Sequence, residues 1–285
     1  MKFNIMLLVP QKYRYAHFFD DTVKILYYGL ESLGHDVIVT HNTVRKSYMN
    51  ILIGSDFLSR AEQVEDMSRG REYIVYQNEL VLAGQINGTK GTDHFEQIYL
   101  PLLQRAKSVW EGLPELMPLW EQRGVRAQFV LWGYHPALEE VVHKRDKDID
   151  FFFFGSMTDR RLKMLTELKE RGYVVSSVFD QQAIFRNDLI ARSRINLSIR
   201  QSGMNHLAWG RHCFLINNRS LVLSERCVDQ AWLEDCFLTA ETDSWLDDCE
   251  TAIARSDLQQ VTDDCYERYR STTIMDRLKP ILDEL

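Results

Sequence analysis

Asp150-Phe151-Phe152-Phe153-Phe154-Gly155-Ser156 decides how the second half of this chain is read. A short, unbroken apolar run closed by glycine is what a central strand of a parallel sheet requires, because such a strand is covered on both faces. The segment from Asp159 to Arg171 follows, with Leu162, Leu165 and Leu168 at helical spacing. Gly172 ends it, and Tyr173 to Val178 reads as the next strand. The first half opens on the same design. An apolar strand from Phe3 to Val9 leads into the loop Pro10 to His17, then a helix through Leu26, Leu30 and Leu33, a stop at Gly34, and the strand Val37-Ile38-Val39. Glycine suits the left-handed residue that closes a helix. Each half therefore begins as a βαβ unit.

Further strands are expected at Ile51 to Ile53, Tyr73 to Tyr76 and Ala127 to Leu131, the last after a helix near Leu113 to Gln122. In the second half the pattern predicts a helix near Asn187 to Arg192, a strand Ile195 to Ile199, a helix near His206 to Leu215, a strand Ser220 to Leu223, and helix over Leu258 to Leu285. The alternation predicts an α/β protein of two Rossmann-like domains whose parallel sheets face across a cleft. Residues 1–135 form the first domain and 150–256 the second. The charged stretch 136–149 is the linker and 257–285 a C-terminal helical segment. A length of 285 residues suits two cores of ordinary size.

With 45% hydrophobic and 26% charged residues the chain is an ordinary globular protein. The apolar start, Met1 to Pro10, lacks a small-residue cleavage site after it and reads as a first strand. No apolar stretch reaches the roughly 18–20 residues of a membrane span. A cytoplasmic protein with at most peripheral membrane contact is expected. The five cysteines, Cys213, Cys227, Cys236, Cys249 and Cys265, never fall as Cys-x-x-Cys, which argues for reduced thiols and against a zinc knuckle. A formal net charge of -7 gives no global attraction for nucleic acid. The absence of an HExxH motif or a Walker-type lysine loop points away from metal-dependent chemistry.

Ligands of open α/β sheets sit beyond the carboxyl ends of strands, and a helix N-terminus there presents N–H groups to a diphosphate. Gly155 and Ser156 occupy such a point, though Gly155 equally suits a plain tight turn. Arg160 and Arg161 follow as phosphate-neutralising candidates. Arg200 lies just past the strand Ile195 to Ile199, with the loop Gln201 to His206 behind it. Ser224 and Glu225 follow the strand Ser220 to Leu223, Glu225 as an acceptor for ribose or sugar hydroxyls, or the pair as a helix cap. In the first half, the loop Gln11 to Asp21 holds Tyr13, Tyr15, His17, Asp20 and Asp21. His17 is the candidate general base, with Glu79 of Tyr76-Gln77-Asn78-Glu79 as the second choice and Asp20 or Asp21 after it. Gly133-Tyr134-His135 stands where a hinge would.

The order Tyr76-Gln77-Asn78-Glu79-Leu80, Ser108-Val109-Trp110, Gly133-Tyr134-His135 and Asp150 to Arg161 resembles the CgeB-like and spore-protein-like glycosyltransferases of bacteria and their phages, within the GT-B superfamily. Leu189 to Ser198, then Arg211 and Leu221-Val222-Leu223-Ser224-Glu225, look like that family's donor-binding half. The resemblance implies a nucleotide-sugar donor held mainly by the second domain, no metal and no further cofactor. One departure stands out. Many relatives carry an acidic residue shortly before the arginine matched by Arg211, where this chain has Asn205-His206-Leu207-Ala208-Trp209-Gly210. The expected activity is metal-independent transfer of a sugar to an acceptor hydroxyl on a glycan, a small molecule or a modified DNA base. The rival is a catalytically silent sugar-nucleotide-binding or assembly protein.

Overall fold

The computed structural model describes residues 1–10, 13, 15–87, 90–201 and 205–285. The first strand, β1 (Lys2–Leu7), buries every residue after Lys2. It is followed by α1 (Asp20–Ser32), β2 (Asp36–His41), β3 (Met49–Ile53), α2 (Ala61–Ser68) and β4 (Tyr73–Gln77), whose five residues are all buried. A two-stranded antiparallel hairpin, β5 (Val81–Leu82) with β6 (Gln85–Ile86), leads to α3 (Thr92–His94). That helix passes through a π-helical turn, Phe95–Tyr99, into α4 (Leu100–Arg105). Then come β7 (Ser108–Glu111), α5 (Met117–Gln122) and β8 (Ala127–Phe129). The sheet has the order β2-β1-β3-β4-β7-β8 and is parallel throughout.

The second sheet starts with β9 (Ile149–Phe154), where Phe151, Phe152 and Phe153 are fully buried. After it run α6 (Asp159–Glu170), β10 (Val175–Val178), α7 (Ala183–Arg192), β11 (Ser193–Ser198), α8 (Trp209–Asn217), β12 (Val222–Glu225), β13 (Leu238–Ala240), α9 (Trp245–Ile253) and α10 (Leu258–Arg270). The order is β10-β9-β11-β12-β13, again all parallel. The core joins Phe151 and Phe153 to Leu165, Leu168, Ile195, Leu197 and Trp245.

The last helix, α11 (Ile274–Asp283), belongs with the first sheet. A Cβ on Gly29 of α1 would stand 2.9 Å from Leu278 Cδ1 and 3.1 Å from Ile274, so glycine is what lets the two helices approach. By contacts the chain forms one unit from Met1–Trp132 with Ile274–Leu285 and another from Gly133–Thr273. The stretch read as a linker, 136–149, therefore packs as part of the second unit. His143, for example, bonds the Asn218 carbonyl at 2.7 Å. The expected C-terminal helical segment is two helices, one in each unit.

Several expectations shift on contact with the structure. Leu162 of α6 is 54% exposed, because Met164, Leu165 and Leu168 carry the buried face. Ser224 and Glu225 are the last residues of β12, not a helix cap. Strands β7 and β13 and the helical run from Thr92 to Arg105 are additions to the sequence-based map. Among the described residues no helix is long and apolar enough to cross a membrane.

Candidate functional site

In both sheets the chain order reverses beside the first strand of the unit. Strand β2 lies on one side of β1 and β3 on the other, and β10 and β11 flank β9 in the same way. At such a switch point the loops leave in opposite directions and open a crevice beyond the carboxyl ends of the strands. In the second unit that crevice begins at Gly155, whose φ of 146° favours glycine, and a Cβ there would collide with the Arg211 guanidinium.

Arg161, from the first turn of α6, ties the two strand ends together. Its Nε and Nη2 donate to the Ile199 carbonyl at 3.0 and 2.8 Å, and its Nη1 donates to the Ser156 carbonyl at 2.8 Å and to Ser156 Oγ at 3.1 Å. Arg211, from the first turn of α8, lies against Phe153 and Phe154, its guanidinium carbon 4.9 and 5.4 Å from the ring centres. Arg186 of α7 faces Phe154 at 5.3 Å and Phe214 at 4.1 Å. The phenylalanine run thus does more than fill a core. Its last two rings hold cations through their negative faces.

Burial, then repulsion from Arg161, pushes Arg211 down to about 9. Burial, then Arg160, pushes Arg161 down to about 10. Both remain charged at neutral pH, as guanidinium does. Among the described residues neither takes part in an ion pair, and Arg211 Nε is buried without an acceptor, as is Arg200 Nε. A buried donor left unmatched costs the full desolvation of that group.

Arg160 is arranged differently. Its guanidinium grips the fully buried Glu225 carboxylate through both oxygens, with Nη1 to Oε2 at 2.9 Å, and also donates to the Arg200 carbonyl at 3.2 Å. Glu225 accepts the Arg200 backbone N–H at 2.7 Å and the Thr242 hydroxyl at 3.3 Å as well. Although burial alone would raise it, the Arg160 bond and these other donors hold its carboxyl below the usual range. With both oxygens occupied, Glu225 serves to fix Arg160 and Arg200 rather than to receive a sugar hydroxyl. Arg200 reaches on to Asn205 Oδ1 and Thr242 Oγ1, each at 2.5 Å. Ser224 is buried and donates to the Glu225 carbonyl. His206 lies 3.7 Å from the buried Asp229.

The starts of α6 and α8 are capped differently. Thr158 caps α6 by accepting from the Arg161 N–H at 3.3 Å, and Asp159 places a negative charge in its first turn. Helix α8 has Ala208 at its N-cap, no side-chain cap and no acid in its first turn. The buried Asp229 carboxylate stands just before this start, accepting the Leu207 N–H at 2.9 and 3.2 Å, while the helix's own first turn, which carries Arg211, has no acid.

In the first unit, the switch point runs from Leu8 to the turn Gly54-Ser55-Asp56. A Cβ on Gly54, at φ 75°, would approach the Leu8 carbonyl to 2.5 Å. His17 Nδ1 and Asp20 Oδ2 stand 3.0 Å apart, both open to solvent, while Asp21 is buried in α1. Glu79 is brought to Asp56 and Lys90 instead. Burial, then the Asp56 charge, raises Glu79 to about 7, against the pull of Asn87, which donates to it, and of Lys90. Lys90 Nζ lies 2.7 Å from Asp56 Oδ2. Beneath them Glu111 is fully buried, accepting from Trp120 Nε1 at 2.5 Å and the Leu113 N–H at 2.7 Å, and burial pushes it up to about 8. Sequence reasoning passed over Asp56, Lys90, Glu111 and Arg186. Asp56 was within reach of it, since it follows the expected strand Ile51 to Ile53. Of the two expected loops, Gln11 and the run Ser202, Gly203 and Met204 lie outside the described residues.

Solved structures share this architecture over nearly all of both chains. HepE from Anabaena in complex with UDP-glucose aligns with a TM-score of 0.67 at 10% identity, covering 99% of this chain and 100% of that one. The chain has the GT-B fold. A glycosyltransferase from Rickettsia africae aligns with a TM-score of 0.59 at 10% identity, over 99% and 97% of the two chains. AviGT4, a glycosyltransferase of avilamycin A biosynthesis, gives 0.53 at 13% identity, over 99% and 96%. No family model matches the sequence, and comparison with curated proteins gives no match.

Two outcomes follow from this geometry. Ala208→Asp should place a second carboxylate near Asp229 at the start of α8 and weaken pyrophosphate binding measured by calorimetry. Unchanged pyrophosphate affinity would mean the helix terminus plays no part. Glu111 carries a folded pKa above its ordinary 4.5, so its stabilising protonated form is complete below that value and is lost as pH rises towards about 8. The fall in Tm between pH 5 and pH 8 should be smaller in Glu111→Gln than in the parent.

Proposed function

We propose that the chain is a glycosyltransferase that moves a sugar from a nucleotide-sugar donor to an acceptor hydroxyl without a metal ion. The supporting observation is the buried Arg211 guanidinium of the second unit, which has no ion pair among the described residues and an Nε–H without an acceptor, and which lies against the glycine turn at Gly155. A diphosphate matches it in charge and in its need for donors. The same fold carries UDP-glucose in one HepE structure and UDP in another, which favours a uridine nucleotide for this chain. The proposal includes a place among the CgeB-like glycosyltransferases and a cytoplasmic location.

In the reaction, a bond forms between the acceptor oxygen and the anomeric carbon as the bond from that carbon to the β-phosphate oxygen breaks. Negative charge grows on the leaving diphosphate. Arg211 and the α8 N–H groups meet it without reorganising, the form of electrostatic stabilisation that contributes most to catalysis. Arg161 and the Arg160–Glu225 pair hold the loops that frame the pocket. The first unit receives the acceptor. There Asp20 accepts from His17 Nδ1–H, which leaves Nε2 as the basic nitrogen that takes the acceptor proton.

UDP, GDP, CMP and dTDP, with their sugar conjugates, should be screened by thermal shift, and one nucleotide should raise Tm with its concentration. With that donor, His17→Ala should lower turnover by about 10²–10⁴-fold at unchanged nucleotide affinity. If no nucleotide shifts Tm, the donor reading is wrong; if His17→Ala keeps its turnover, His17 is not the base.

A further inference from the structure

We propose that the switch-point crevice of the first unit binds a neutral saccharide, so that the acceptor is itself a carbohydrate; its standing as the acceptor rests on the function proposed above. The crevice joins aromatic rings to carboxylates. Phe57 follows Asp56 and meets Tyr13 edge to face, the ring centres 4.8 Å apart at 62°. Tyr13 meets Tyr15 at 5.7 Å and 86°, and Phe19 meets Phe57 at 6.3 Å. Tyr15 is 42% exposed and Phe18 63%. Lys90 Nζ lies 4.7 Å over the Phe57 ring while it holds Asp56. Asp56 is only 6% exposed, and among the described residues its Oδ1 is buried with no hydrogen-bond donor.

A pyranose answers both features. One of its faces is lined with C–H bonds of slight positive charge, which rest on the negative face of an aromatic ring. Its rim carries hydroxyls, the donor that Asp56 Oδ1 lacks and that the neighbouring Glu79 also accepts. A hydroxyl entering beside the Lys90 ammonium completes the carboxylate without disturbing the ion pair. Nucleic acid fits less well. Among the described residues here Lys90 and Asp56 offset one another and Asp20 adds a carboxylate beside His17, which suits a neutral ligand better than a phosphate backbone. Rings set edge to face give no parallel slot for a flat base.

The test uses the full chain saturated with UDP and saturation-transfer difference NMR on methyl glucoside, methyl galactoside, maltotriose, cellotriose and chitotriose. At least one should show saturation of its ring C–H protons. Tyr15→Ala, an exposed position, and Phe57→Leu, which keeps an apolar side chain of similar reach, should each cut that affinity by about fivefold while UDP affinity stays unchanged. The inference is overturned if UDP binds but no saccharide does, if neither variant alters saccharide binding, or if a DNA duplex displaces the saccharide. Loss of UDP binding alone would sink the donor reading and leave the saccharide result to stand by itself.

Discussion

The second unit is organised around guanidinium groups pressed onto phenylalanine faces. Arginine tolerates such surroundings because its charge is spread over a plane and is weakly hydrated, so stacking on Phe153 and Phe154 recovers part of what burial costs. What distinguishes Arg211 from Arg160 is its partner. Arg160 is neutralised by Glu225, which makes it a strut. Among the described residues Arg211 meets rings, a serine hydroxyl at 3.4 Å and the repulsion of Arg161. The glycine at 155 makes room for that charge, since a Cβ there would collide with the guanidinium.

The first unit repeats the topology with inverted chemistry. Its strand ends carry Asp56, Glu79 and Glu111, and burial raises the last two rather than leaving them freely ionised. One fold thus presents a cationic crevice in one unit and a carboxylate crevice in the other. That division of charge suits a reaction in which one partner is a polyphosphate and the other a hydroxyl that must lose a proton.

Much of this was legible in the sequence, for physical reasons. The phenylalanine run and the glycines at 34, 155 and 172 mark strand ends and helix stops wherever they occur, so the two opening βαβ units could be placed from pattern alone. Gly155 and Arg200 also stand just past strand ends, as their positions in the sequence suggest. Pairing was not legible. Nothing in the spacing of Arg160 and Glu225 reveals that they bind each other across 65 positions. Which helix start is capped depends on Thr158 and Ala208 in three dimensions. Short strands such as β7, in which Ser108 and Glu111 are polar yet buried, escape a rule built on apolar alternation.

The central claim is that Arg211 and Arg200 are waiting for a diphosphate, and the most direct observation of it is the side-chain Nε–H resonances of the two arginines in nitrogen-15-labelled protein. On titration with UDP both resonances should move downfield and become protected from solvent exchange, as each orphaned donor gains a phosphate oxygen. If UDP binds and both resonances stay where they were, the diphosphate lies elsewhere and this account of the site is wrong.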